Sequence, residues 1–212
     1  MMQYQKLEVG PYGCNCYILR DESSRQAMLI DPGADRDRIE SALEGYTVSL
    51  IVLTHGHFDH VFEVPYFRQK YGACVVIHQD DVCFLSDRSL YDPFGMFSEY
   101  ESRTYLSDRR VRDGDSLVFG SDTFDILSTP GHTPGSMCLY TSGHLFCGDL
   151  LFYLSVGRTD FPRGDERQMA QSLKRVLALP ADTIVHPGHG PDTTIGRERL
   201  QNPYIHYFEQ FR

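Results

Sequence analysis

Residues 55–60 read His55-Gly56-His57-Phe58-Asp59-His60, three histidines and an aspartate in six positions, directly after the apolar run Ser49-Leu50-Ile51-Val52-Leu53. Such a run reads as a buried strand, which puts the six residues on the loop leaving its carboxyl end, where open α/β sheets place their ligands. Imidazole and carboxylate are the side chains that hold zinc, manganese and iron, and few other tasks gather so many of them. His55 and His57 are two apart, so an extended backbone projects both rings to one side, as a single cation requires. Asp59 and His60 fall in the first turn of a helix expected over 61–71 and point away from that pair. They are free to serve a second cation, and paired sites of this kind sit about 3.5–4 Å apart. Ordinary loop histidines are the plainer alternative. The helical zinc motif HExxH is absent, which removes the helical metalloprotease reading.

The rest of the chain favours metal. His132 lies in TPGHTPGS (129–136) after a strand expected at 123–127, Asp149 in LFCGDLLF (145–152) after another apolar run, and His189 in IVHPGHG (184–190) after a third. Each stands at a strand end beside glycine, which lets backbone approach a ligand closely.

With LIDPGAD (29–35) added, five motifs run in order: Asp31, HGHFDH, His132, Asp149 and His189. In this order the chain resembles a metallo-β-lactamase-fold hydrolase, close to the small glyoxalase II-like (hydroxyacylglutathione hydrolase-like) proteins that lack a carboxyl-terminal helical domain. The resemblance implies that His55, His57 and His132 hold one metal, that Asp59, His60 and His189 hold the other, and that Asp149 bridges them. Asp31 would orient a ligand imidazole through its other nitrogen. A turn residue before Pro32-Gly33 is the simpler role for Asp31, and both can hold.

Composition sets outer bounds. The chain has 212 residues, 41% hydrophobic and 23% charged, as soluble globular proteins do. Motifs spread along most of the length argue for one domain over 1–212. A net charge of −9 disfavours a nucleic-acid partner, which needs a basic face. No cationic leader and no apolar stretch of membrane-spanning length is visible, so a cytoplasmic protein without membrane contact is expected, monomeric or a small homo-oligomer. Six cysteines in that setting read as reduced. Cys14 and Cys16 read as packing, and Cys74, Cys83, Cys138 and Cys147 as small core residues.

Strands are expected at 5–9, 16–20, 26–30, 49–53, 73–77, 116–119, 123–127, 137–140, 145–147 and 183–185, with helices at 35–43, 61–71 and 167–177. Strands in both halves with helices between them fit the fold that the resemblance implies, a four-layer αββα sandwich of two mixed sheets with outer helices. The stretch 86–110, with Tyr91, Phe94, Met96, Phe97, Tyr100 and Tyr105, reads either as a lid over the metals or as a surface excursion packed by its own aromatics. His78, His144, His186 and His206 match no motif and read as structural or solvent-facing.

Two metals lower the pKa of a bound water to about 7 and polarise a carbonyl, so hydrolysis is the natural use. The resemblance implies a metal-bridging hydroxide, with Asp59 and Asp149 as the catalytic carboxylates and Asp59 also orienting the nucleophile. The expected substrate is a small anionic thioester, S-lactoylglutathione or a related hydroxyacyl-glutathione. A thiolate, whose thiol has a pKa near 8.5, departs without a proton donor. Leu151-Phe152 and Val156-Gly157-Arg158 resemble the glyoxalase II loop in which a basic residue holds a glutathione carboxylate, which makes Phe152 and Arg158 candidate substrate contacts. The family's aromatic two residues later is Asp160 here, and with Arg212 following soon after His189 the clamp domain of glyoxalase II proper is not expected. Weaker or broader thioester specificity is therefore expected. Arg197, Arg199 and Tyr204 could substitute for the clamp, but read first as a solvated terminal helix.

Nitrogen and oxygen ligands without thiolate accept zinc, iron or manganese, and two divalent ions, zinc first among the candidates, are expected. The rival is a mono-iron persulfide dioxygenase, which shares the fold and would use His55, His132 and Asp149. A true β-lactamase is less favoured, since well-known zinc enzymes of that class often carry cysteine where Asp149 stands. RNA-processing relatives add recognition segments that an acidic chain does not supply, and a metal-free scaffold would leave every filled ligand position unexplained.

Overall fold

A computed structural model describes residues 3–91 and 105–208. One sheet runs in the order β1 (Gln3–Val9), β2 (Cys14–Asp21), β3 (Gln26–Ile30), β4 (Thr47–Leu53), β5 (Cys74–His78) and β6 (Arg109–Val111). Its first three strands are antiparallel neighbours and β3 to β6 are parallel. The second sheet contains β7 (Ser116–Phe119), β8 (Asp122–Ser128), β9 (Met137–Thr141) and β10 (His144–Gly148). The short hairpin β11 (Leu151–Phe152) and β12 (Ser155–Val156) follows in the chain, and then β13 (Ile184–Pro187) and β14 (Thr193–Thr194) complete that sheet in the order β14-β13-β10-β9-β8-β7.

Three apolar clusters explain the layers. Alternate residues of β2 to β5 point outward as Ile18, Leu29, Ile51 and Val75, and pack on α1 (Arg36–Ala42) and α3 (Val64–Tyr71) through Ile39, Val64 and Phe67. Their neighbours Leu19, Met28, Ile30, Val52 and Val76 point inward and meet Phe124, Ile126, Leu139 and Phe146 of the second sheet. That sheet's other face, with Cys138, Leu145 and Val185, is covered by α5 (Glu166–Val176), α6 (Ile195–Gln201) and α7 (Pro203–Phe208). The period of two along each strand thus produces an αββα sandwich, as expected from the sequence. On α5, capped by Asp165 accepting from the Gln168 N–H, Met169, Leu173 and Val176 supply the buried stripe.

The helix expected over 61–71 is two helices, α2 (Phe58–Val61) and α3. Pro65, near the start of α3, has no N–H with which to continue the ladder. The Glu63 N–H turns instead to Pro32 O at 3.0 Å, tying the helix junction to the Asp31 turn. A 3₁₀ segment, Gln79–Leu85, and α4 (Arg88–Tyr91) follow β5. Of the aromatic stretch, Phe94, Met96, Phe97 and Tyr100 lie outside the described residues, whereas Tyr105 is buried in the outer cluster of the first sheet. Cys14, Cys16, Cys138 and Cys147 are buried, while Cys74 and Cys83 are only half-buried, and all six are free.

Loops from both sheets are stitched together at one end of the sandwich. Met137 N donates to Thr54 O at 2.9 Å, Asn15 N to Gly188 O at 2.7 Å and Gly188 N to Gly148 O at 2.8 Å. The chain segments on either side of these bonds carry the histidine and aspartate motifs.

Candidate metal centre

Strand β4 delivers His55 and His57, α2 delivers Asp59 and His60, and the loops after β8, β10 and β13 deliver His132, Asp149 and His189. All seven converge. Their ligand atoms form three overlapping groups, His55/His57/His132, His55/His60/Asp149 and Asp59/His60/His189, each within 4.8 Å. His57 Nδ1 lies 2.9 Å from His132 Nε2, and His60 Nε2 lies 3.3 Å from His189 Nε2. Asp149 stands between the clusters, Oδ2 at 3.5 Å from His132 Nε2 and 3.6 Å from His189 Nε2, and Oδ1 at 3.4 Å from His60 Nε2. Donors about 2.0–2.1 Å from a tetrahedral zinc are roughly 3.3 Å apart, so this spacing suits ligands sharing cations.

Hydrogen bonds behind the imidazoles fix which nitrogen faces inward. Asp31, in a left-handed conformation (φ 52°) that aspartate tolerates better than most residues, accepts from Thr54 N at 2.8 Å and Thr54 Oγ1 at 2.6 Å. It also accepts a hydrogen bond from His60 Nδ1 at 2.9 Å, which directs His60 Nε2 toward the centre. Because the Thr54 hydroxyl already donates to Asp31, it accepts from His55 Nδ1 at 3.2 Å, leaving His55 Nε2 buried and without a hydrogen-bond partner among the described residues. His132 Nδ1 donates to Arg158 O at 2.7 Å and His189 Nδ1 to Tyr12 O at 3.1 Å. Also buried, with no hydrogen-bond partner among the described residues, are His57 Nε2 and Asp149 Oδ1. Orphaned polar atoms cost free energy unless something binds them, so these residues fit a bound metal pair.

Electrostatics divide the centre. Burial pushes His55, His57 and His132 down, keeping them neutral and able to bind a cation at neutral pH. At His60 burial is outweighed by Cys14, whose thiol lies 3.5 Å from Nδ1, and by Asp59, Asp149 and Asp31, so its value rises. His189 is raised for a similar reason, Asp149 and Asp59 overcoming burial. Burial would raise Asp59, but His60 and His189 hold it well below the usual carboxylate range.

Backbone approaches the centre where a side chain could not. A Cβ on Gly188 would sit 2.2 Å from Asp149 Oδ1 and 2.9 Å from His60 Cε1. Asn15 holds the same loop, its amide donating to Pro187 O at 2.9 Å and Gly190 O at 2.8 Å on either side of His189. His186 is buried and bonded, Nδ1 to Asp192 at 2.9 Å and Nε2 to His144 at 2.9 Å, with Lys6 on Asp192 at 2.7 Å. It is structural, as its sequence position suggests.

Phe152 stands edge-on to His189 with ring centres 6.0 Å apart. Arg158 is committed to a neighbour: its Nε and Nη2 bond both oxygens of Asp160 at 2.6 and 2.7 Å, and its guanidinium lies 4.1 Å from the Phe161 ring centre. Phe161 itself packs against His57 at 5.2 Å and His132 at 5.9 Å. Sequence reasoning passed over Phe161, Asn15 as a loop anchor, and Asp81, a fully buried carboxylate under the histidine loops. Phe161 stands three residues after Arg158, between Asp160 and Pro162, and nothing local in the sequence marks it as facing the histidines. In the tail, Arg199 bonds Leu177 O and Leu179 O and Arg197 bonds the Tyr153 hydroxyl, so both support structure at the surface.

An αββα sandwich with a binuclear histidine and aspartate site at the strand ends defines a class, and this chain belongs to the metallo-beta-lactamase superfamily, whose model matches residues 9–189. Among curated relatives it is 34% identical to the hydroxyacylglutathione hydrolase GloC of Haemophilus influenzae, over 96% of this chain and 98% of that one. Among solved structures it is similar to the BLEG-1 B3 metallo-beta-lactamase (35% identity, TM-score 0.88, covering 96% of this chain and 99% of that one). It is also similar to TTHA1623 in a di-iron-bound form (34% identity, TM-score 0.83, covering 94% and 99%). No helix among the described residues is long and apolar enough to cross a membrane.

Proposed function

We propose that this protein is a binuclear metallohydrolase that cleaves thioesters, with S-lactoylglutathione or a related hydroxyacyl-glutathione as substrate. The observation that carries the reading is the pairing of the seven-residue centre with full-length similarity to a hydroxyacylglutathione hydrolase. In this reading His55, His57 and His132 hold one cation, Asp59, His60 and His189 the other, and Asp149 contacts both. Two such cations supply hydroxide at neutral pH and polarise the carbonyl of the substrate. Zinc suits the ligand set, and iron or manganese are compatible with it.

The chain's own residues orient and select. Asp59, anionic between His60 and His189, is placed to accept a hydrogen bond from the attacking water. Asp31, Thr54 and the carbonyl of Arg158 keep the imidazoles in one tautomer. Phe152 and Phe161 wall opposite ends of the centre and exclude water from the acyl group. A thiolate leaving group with a conjugate acid near pKa 8.5 departs without a dedicated proton donor. Arg158 serves an anionic substrate only in competition with Asp160.

A second reading is favoured by the likeness to the B3 metallo-beta-lactamase: hydrolysis of a β-lactam amide at the same centre. An amine is a poorer leaving group than a thiolate and needs a proton. Purified protein given S-lactoylglutathione, a chromogenic cephalosporin and glutathione persulfide in parallel separates the reactions. Free thiol released from the thioester, without ring opening or oxygen uptake, supports the proposal. Oxygen consumption on the persulfide with one iron per chain would reassign it to the mono-iron dioxygenase branch.

A further inference from the structure

Asp81 has no place among the ligands, yet its carboxylate touches both loops that deliver the first three imidazoles. Oδ2 accepts from the Gly56 N–H at 2.9 Å and from the Thr133 hydroxyl at 2.7 Å, and Oδ1 accepts from the Gly135 N–H at 2.6 Å. Gly56 separates His55 from His57, and Thr133 follows His132. A fully buried carboxylate is costly unless its charge is met. Here two peptide N–H groups and a hydroxyl meet it, so the charge is retained for the bonds it makes.

The fit around Asp81 is tight. A Cβ on Gly135 would lie 2.5 Å from Asp81 N and 2.7 Å from its Cγ, and one on Gly56 would lie 2.3 Å from Phe84 Cβ. Phe84 belongs to the same 3₁₀ segment and sets its ring against His57, centres 5.5 Å apart. The segment therefore grips the two loops from beneath by charge and by packing.

We propose that Asp81 is the positioning residue of the His55/His57/His132 end of the centre, fixing the separation of the two loops and hence the approach of His57 to His132. The other end has its own supports: Asp31 on His60, the Tyr12 carbonyl on His189 and Asn15 on the loop around His189. The two cation positions are thus held by separate polar anchors. This inference concerns metal binding and does not depend on which bond the enzyme cleaves.

The test uses full-length protein stripped by chelator and titrated with cobalt(II), reading visible absorbance and competition with a chelator of known affinity, beside the melting curve of the stripped protein. Asp81→Asn keeps the volume but sets an amide N–H₂ against donors. It is expected to weaken one of the two cobalt equivalents about 10–100-fold and to alter that equivalent's absorbance, leaving the other as in wild type. Thr133→Val, which removes one of the three bonds, should weaken the same equivalent by a smaller factor. Wild-type affinity at both equivalents in Asp81→Asn, or equal weakening of both, overturns the proposal. Should Asp81→Asn fail to fold, Thr133→Val decides: one weakened equivalent supports the role and two unchanged equivalents refute it.

Discussion

Arg158 and Asp160 meet through two parallel hydrogen bonds, Nε to Oδ1 at 2.6 Å and Nη2 to Oδ2 at 2.7 Å, at the rim of the metal centre. The guanidinium that a carboxylate-bearing substrate would use already holds a carboxylate of its own chain. Fork-to-fork pairing of this kind is the geometry that would also hold a glutathione carboxylate, so substrate and Asp160 compete for one group.

Asp160→Asn should therefore lower KM for S-lactoylglutathione with little change in kcat. The pair is solvent-exposed and therefore weak, so the gain should be small. Arg158→Ala should move KM the other way, as loss of uniform binding does. A thioester of N-acetylcysteamine, which has no carboxylate, serves as the control and should be indifferent to both. Equal effects on the two substrates would remove Arg158 from carboxylate recognition.

Asp149→Ala should lose metal and activity together. One carboxylate lies within 3.6 Å of His60, His132 and His189, and outer-shell losses alone cost about 10–100-fold, so removing this group should exceed that. Elemental analysis showing wild-type metal content in the variant would contradict the shared role.

Gly188→Ala should act through space. The added methyl meets Asp149 Oδ1 at 2.2 Å, and Asn15 N donates to Gly188 O, so the loop has little room to retreat. Metal affinity is expected to fall at least tenfold, in the range of lost outer-shell support, while circular dichroism stays that of wild type. Unchanged metal binding would mean that the loop relaxes freely.

Asp81 also predicts a pH dependence in the stripped protein. Burial pushes its carboxyl up to about 6, against about 3.9 in an unfolded chain. A raised value favours the neutral form in the folded state, so the associated stability is full below about pH 4 and is lost as pH rises through about 6. Relative to Asp81→Asn, wild-type stability by urea unfolding should fall by on the order of 2 kcal/mol between those limits. A difference that does not vary with pH would contradict this.

What the sequence reveals of this centre is what chemistry restricts by residue type. A metal site needs imidazole or carboxylate, so His55, His57, Asp59, His60, His132, Asp149 and His189, which the structure brings together, were legible as candidates from their motifs, and Asp31 was added by the family resemblance. The αββα layers were expected from the resemblance, which the order of strands and helices fits. The supports were hidden because many residue types can support a loop. Asp81 follows Asp80, and nothing local says that Asp80 is exposed while Asp81 is buried. Asn15 stood out only as the residue between two cysteines. The helix break depended on Pro65 together with a bond from Glu63 N to Pro32 O, a contact between segments far apart in sequence. Arg158 was readable as a basic group, but its engagement by Asp160 depends on how the loop folds.

The central claim is that two cations, held by these seven residues, cleave a thioester. Chelator-stripped protein titrated with zinc and assayed at each step for thiol release from S-lactoylglutathione tests it most directly. The account predicts activity that climbs until about two equivalents are bound, as a paired centre requires. A plateau at one equivalent, or no thioester cleavage with both positions filled, would contradict it.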